Sequence, residues 1–267
     1  LLGNKFMLYY LKVYWQLVKI NFTYLLTYRF NFFNQIISTL GWGIFQIVWI
    51  ELLTYKTQTV FGWSRDELIA LAGSYIIFAA LIHLLFSRNF QDFSRTVNYG
   101  QLDEYLIKPI DSQFLVSFKI INFANIFRII LGLYFVLSIV IKNNITLSFI
   151  NIMGYFILMF CGLIMTYSLW SIFFTLIIWY PQLNNLIDFL FNFNGMSRYP
   201  KEMILNTKNI LLYFLLPFTL MLSTPTKILF HKALSGDVEL LLLFTLVFFL
   251  IARRFWKFAL RYYTSAS

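Results

Sequence analysis

SRNFQDFSRTVNYGQLDEYLIKPIDSQ, Ser87 to Gln113, is the longest polar interruption in the first half of an otherwise apolar chain. It carries Arg88, Asp92, Arg95, Asp103, Glu104, Lys108 and Asp111. At the bilayer centre each Asp, Lys or Arg costs about 2.5–3.5 kcal/mol, so the stretch lies outside the hydrocarbon. It is nevertheless patterned. Phe90, Phe93 and Val97 recur at helical spacing, as do Leu102, Tyr105 and Leu106, which predicts two short amphipathic helices. Gly100 separates them, and Pro109 stops the second near Lys108. A charged helical element between two membrane spans suits docking on something outside the membrane. Periodicity alone equally allows an element lying in the headgroup layer.

Working outward, the chain is 60% hydrophobic and 12% charged. A soluble domain carries about 25% charged residues, so the composition reads as an integral membrane protein. Its 267 residues hold several spans of about 20 residues, with no polar stretch long enough for a separate soluble domain. The net charge of +10 does not point to nucleic acid. Most Lys and Arg flank apolar spans, where anionic lipid and the positive-inside rule account for them. The single cysteine, Cys161, excludes an intrachain disulfide and a cysteine-based zinc site. No cleavable signal is expected, because lysines interrupt the first apolar stretch.

Residues 4–29 carry Lys5, Lys12, Lys19 and Arg29 without an acid, with the lysines on one stripe. That pattern predicts an interfacial helix lying flat on the cytoplasmic leaflet. Spans are expected at about 30–53, 68–86, 119–141, 148–179 and 238–252. Gly73, Ala79 and Ala80 permit close packing in the second. In the third, Lys119, Asn122, Asn125 and Arg128 share a face, and Arg128, about a dozen residues in, either faces a bundle interior or belongs to a helix that begins well outside the bilayer. Two further apolar runs, 183–195 and 210–222, are short and interrupted. The first contains Asn184, Asp188 and Asn192 at intervals of four, one polar face that belongs against a partner subunit or the substrate path. Arg128 is the nearest buried counter-charge for Asp188, and such a pair either lines the pathway or only holds helices together.

Both ends are basic and acid-free, so both termini are expected in the cytoplasm, which requires an even number of crossings. Of the seven apolar runs one must then fail to cross. Charge keeps Arg198, Lys201 and Lys208 inside and makes 210–222 the fifth crossing.

Gly100-Gln101-Leu102-Asp103-Glu104-Tyr105-Leu106-Ile107-Lys108-Pro109 resembles the G-x-L-D-x-x-L-x-K-P signature of a branch of the ABC-2 permeases. These are the six-helix membrane subunits of a large class of ABC transporters. Arg198-Tyr199-Pro200, followed by Pro217-Phe218 and Thr224-Pro225, is similar to that branch's later proline pattern. The resemblance implies an all-α polytopic protein forming one transmembrane domain over 1–267: six transmembrane helices, an N-terminal interfacial helix (4–29), a cytoplasmic coupling loop (87–113) and a re-entrant outer element (196–230). On this template 183–195 is the fifth crossing, against the charge count, and it explains why Pro217 and Pro225 interrupt a span-like run. It also implies contacts to an ABC ATPase through Phe90, Phe93, Gly100, Leu102, Asp103, Glu104, Tyr105, Leu106, Lys108 and Pro109.

No G-x-x-x-x-G-K-[ST] occurs, so ATP and Mg are expected on a separate ATPase, with no cofactor here. No H-E-x-x-H, G-x-S-x-G or cysteine–histidine cluster occurs either, and neither catalytic nor metal-ligating residues are expected. The reading is the permease subunit of an ABC exporter in the plasma membrane, paired with a second permease, identical or homologous, and in contact with lipid. Its rivals are an ion-driven secondary transporter using Arg128 and Asp188, and a non-transporting scaffold or immunity protein. Lipids, peptides and hydrophobic toxins all remain open as substrates.

Overall fold

The computed structural model describes residues 2–56, 59–180, 182–183, 186–206 and 210–263, with side chains for these except 2–7, 187 and 210–212. The protein is all-α and polytopic. Helix α1 (Leu2–Thr27) is followed after Tyr28 by α2 (Arg29–Thr54). A hairpin, β1 (Thr59–Val60) and β2 (Trp63–Ser64), turns the chain into α3 (Arg65–Leu85). Then come α4 (Ser87–Asn98), α5 (Asp103–Leu106) and α6 (Ser112–Phe118). Helices α7 (Asn125–Lys142) and α8 (Phe149–Thr175) make the second long pair. The chain continues through α9 (Leu186–Asn194), a 3-10 turn (Gly195–Arg198), α10 (Lys201–Leu205), a second 3-10 stretch (Ile210–Leu215), α11 (Leu216–Leu229) and α12 (Ser235–Arg261).

Five stretches among the described residues are long and apolar enough to cross a membrane: Arg29–Thr54, Arg65–Asn98, Asn125–Lys142, Phe149–Ile178 and Ser235–Arg261. Helix α3 is the hub, with Ala70, Leu71, Ile76, Phe78, Ala80 and Ile82 fully buried. It starts on a capping box, in which Ser64 Oγ accepts from Glu67 N–H and the Glu67 carboxylate accepts from Ser64 N–H. Small residues set its distance to α7. A Cβ on Gly132 would lie 2.9 Å from the Gly73 carbonyl oxygen, and one on Gly73 would lie 3.3 Å from the Gly132 oxygen. Gly162 does the same for α8 and α11, where a Cβ would meet the Met221 carbonyl at 3.1 Å. With lipid outside and no hydrophobic drive between helices, such close backbone approach is what holds spans together. Between them Ser74 forms a buried polar node, accepting from Tyr155 Oη at 2.9 Å and Thr226 Oγ1 at 3.3 Å while donating to the Ala70 carbonyl.

The third span begins later than the sequence pattern predicts. Residues 119–124 are not helical, because their backbone bonds elsewhere. Ile120 N–H donates to Asn89 Oδ1 at 2.7 Å, and Asn122 N–H donates to the Leu84 carbonyl at 3.1 Å. The last helix is longer than its apolar core and carries Arg253, Arg254, Lys257 and Arg261 on helical backbone.

Two ends of the bundle follow from the contacts. At the hairpin end, Lys142 pairs with Asp66 at 2.7 Å, Lys232 with Glu67 at 2.5 Å, Lys201 with Asp237 and Lys227 with Glu202. Glu202 also accepts from Trp63 Nε1 at 2.8 Å. The opposite, loop end holds the C-terminus of α3, α4 to α6, the start of α7 and the C-terminal part of α12. Lys201 therefore lies away from the loop, not beside it as the charge count placed it. Of the three basic residues behind that count, Lys201 is neutralised by Asp237, Arg198 pairs with no acid among the described residues, and Lys208 lies outside them.

The stretch from 186 to 206 runs from the loop end to the hairpin end, broken at Gly195 and Pro200. His83 stacks on Phe191 with centroids 5.0 Å apart near the loop end, and Glu202 joins Trp63 at the other. From there the chain dips back. Phe214 and Phe218 pack on Phe193, centroids 6.2 and 5.7 Å away, before Lys227 returns to Glu202. No continuous helix makes this passage, and that is why composition leaves it ambiguous.

Candidate functional site

The loop end is built from one buried stripe. In α4, Phe90 and Phe93 are 3% and 1% exposed, and Val97 is buried beside them. Phe90 stacks on Phe174 with centroids 4.6 Å apart and planes 4° apart, while Phe93 lies 5.9 Å from the Trp256 ring. These two phenylalanines anchor the element to α8 and α12; their rings are not on its surface. The helix ends in a Schellman arrangement: Gln101 N–H donates to the Thr96 carbonyl at 2.9 Å and Gly100 N–H to the Val97 carbonyl at 3.1 Å. Gly100 has φ +67, and a Cβ there would meet nothing within 4 Å. The position needs glycine for its backbone, not for space.

Beyond Gly100, Leu102 is fully buried and pins α5. Asp103 and Tyr105 are half-buried, and Glu104, Leu106, Lys108 and Pro109 are exposed. Lys119 donates to the Tyr105 hydroxyl at 2.9 Å, and Lys108 Nζ lies 5.3 Å from the same ring. Ile107 is 82% exposed and Tyr99 70%, so the knuckle (99–111) offers two exposed apolar side chains on a segment that also exposes Glu104 and Lys108.

The knuckle is braced from behind. Asp111 caps α6, accepting from Phe114 N–H at 3.1 Å, and receives the Arg253 guanidinium on both carboxylate oxygens. Burial alone would raise the Asp111 carboxyl, but the Arg253 bonds and the cap outweigh it and hold it below the ordinary carboxylate value. Arg253 Nη1 also donates to Gln113 Oε1 at 2.8 Å, Gln113 Nε2 to Ser171 Oγ at 2.8 Å, and Trp256 Nε1 to Ser112 Oγ at 3.2 Å. Helix α1 runs along the same end. Asp111 N–H donates to Tyr10 Oη at 3.1 Å, and Asn21 bonds the Lys119 carbonyl and Ile121 N–H at 2.9 and 3.2 Å.

A second site lies deeper, between α2, α3, α7 and the broken passage after α9. It is a cleft of about 450 Å³ whose lining includes Gln46, Tyr75, Asn125, Arg128, Asn194 and Arg198. Arg128 is 6% exposed; its Nη2 reaches Gln46 Oε1 at 3.5 Å and its Nε has no partner. Arg198 Nε is likewise buried without a partner, its guanidinium 5.8 Å from the Tyr75 ring centroid and 5.4 Å from that of Tyr199. The chain has 11 Asp and Glu, and none lines the cleft. Neither sits mid-span: Arg128 is in the first turn of α7 and Arg198 ends the 3-10 turn. The later start of α7 corrects the reading of Arg128 as deep in the third span, yet each arginine keeps a buried Nε without an acceptor.

Arg128 and Asp188, matched in the sequence by charge, are not brought together. Asp188 is exposed in the first turn of α9 and forms no ion pair among the described residues. Asn192 does line the cleft, whereas Asn184 lies outside the described residues. Sequence reasoning missed Arg198, Tyr75 and Gln46 as neighbours of Arg128. The run of amides in 184–194 was the available signal, since it announces a polar surrounding without saying whose.

The fold is that of a multi-pass helical membrane protein. A family model described as ABC-2 family transporter protein matches residues 40–267, and the chain belongs to that family. No curated protein and no solved structure matches the chain.

Proposed function

We propose that the chain is the permease subunit of an ATP-driven exporter in the plasma membrane. It forms the substrate pathway with a second permease subunit, identical or homologous, and separate ATPase subunits carry ATP and Mg. The observation that supports this most is the braced knuckle. Ile107 and Tyr99 project at one end, while Asp111, Gln113 and Ser112 tie the same segment to α12 and α8. A force applied at the tip is thereby delivered to two spans at once, which is what coupling to a motor requires. On this reading the loop end and both termini face the cytoplasm, and the dip after α10 enters from the outer side. The chain itself catalyses nothing.

The test is co-purification with the cognate ATPase. Asp103→Lys with Glu104→Lys reverses the knuckle's acids and should release the ATPase while membrane insertion is unchanged. An unchanged ATPase yield and normal transport would sink the assignment of the knuckle.

A further inference from the structure

The Arg128–Arg198 cleft shares no lining residue with the knuckle at 99–111. Its donors are surplus: both Nε atoms are buried without acceptors, and a guanidinium offers donors only. Buried polar groups of this kind are normally satisfied, so the surplus marks a missing acceptor. No acid among the described residues lines the cleft. The cleft opens beside Trp42, 61% exposed, and exposed Asn192, and Phe191, Ala79 and Ile82 give it an apolar wall.

We propose that this cleft binds the oxyanion head group of an amphiphile, a phosphate or carboxylate, between Arg128 and Arg198, with the apolar part along Trp42 and Phe191. The guanidinium fork supplies paired N–H donors to two oxygens of one group, which an ammonium cannot do. Arg198 is aimed by its contacts with Tyr75 and Tyr199, and Arg128 by Gln46, so neither side chain must be reordered on binding. Only the further step, that the bound amphiphile is on the transport route, rests on the permease reading.

The probe is dodecyl phosphate, added to the full chain purified in a neutral maltoside micelle, with Kd read by thermophoresis. Dodecylphosphocholine and inorganic phosphate are the comparison ligands. Dodecyl phosphate should bind at least about tenfold tighter than either, and Arg128→Gln with Arg198→Gln should weaken it by about tenfold or more. If the glutamine pair fails to fold, Arg128→Lys with Arg198→Lys keeps the charge and should still weaken binding, because the fork is gone. Equal binding of dodecylphosphocholine would overturn the proposal, as would wild-type Kd in a folded variant. Inorganic phosphate binding as tightly as dodecyl phosphate would overturn the amphiphile and leave a free-anion site. The measurement needs no ATPase, so its failure leaves the permease reading standing, and failure to recover an ATPase leaves the binding result intact.

Discussion

Arg253 and Asp111 join sequence neighbourhoods 142 residues apart, and their pair does two jobs at one carboxylate. It caps α6 and ties the knuckle to the last span. Asp111→Ala removes both, and should cost about 1–2 kcal/mol, more of it from the lost cap than from the half-exposed ion pair. A fall in the thermal midpoint of the purified chain would register it; an unchanged midpoint would mean that the cap and the pair contribute nothing measurable. The pH dependence has a definite sign. The Asp111 carboxyl lies below its unfolded value in the fold, so its contribution is present above that value and is lost as pH falls through the folded one. Glu202 behaves alike: burial raises it, but Lys227 and the Trp63 indole hold it below the ordinary value. Acidification below about pH 4 should therefore loosen both ends of the bundle, and Asp111→Asn with Glu202→Gln should flatten the midpoint's dependence on pH there.

Among the elements, α3 and α7 depend on the narrowest tolerance. The Gly132 Cα faces the Gly73 carbonyl and the Ile77 backbone, where a Cβ would sit 2.9 and 3.0 Å away. Backbone cannot yield as a flexible side chain can. Gly132→Val should destabilise by about 1–3 kcal/mol or more and lower the folded yield, whereas Gly41→Ala, with nothing within 4 Å of its Cβ, should be neutral. Equal behaviour of the two variants in a thermal melt would contradict the close crossing. The Gly73–Gly132 contact also sets how Arg128, one turn earlier on α7, and Tyr75 on α3 line the same cleft. Its loss should therefore weaken the cleft as well as the fold.

At the scale of the whole molecule, the two ends of the bundle must face opposite compartments. Lys201 is buried against Asp237 and would report poorly, but Met203 is 41% exposed on the same short helix. With Cys161 replaced, Met203→Cys should react with an impermeant thiol reagent added outside intact cells, and Ile107→Cys should react only once the cytoplasmic side is opened. The reverse pattern would invert the topology proposed above. Labelling of both from outside would mean that the chain does not span as its length and hydropathy suggest.

The amino-acid sequence by itself determined the class of environment and most of the long elements. Hydropathy and length leave little choice for α2, α3, α8 and α12, because a long unbroken apolar run in lipid satisfies its backbone groups within itself only as a helix. It also located Gly100, since a break between two amphipathic repeats needs a residue that accepts positive φ. What it left undecided were the places where pairing at a distance overrides local pattern. Lys201 reads as an inside charge until Asp237 is beside it. Arg128 reads as a partner for Asp188 until the broken passage brings up Arg198 in its place. Residues 119–124 read as helix until Asn89 and Leu84 take their hydrogen bonds. Each of these turns on a partner dozens of residues away, and no periodicity within a segment records which distant group will satisfy a charge or a backbone N–H. The tertiary fold alone makes that choice.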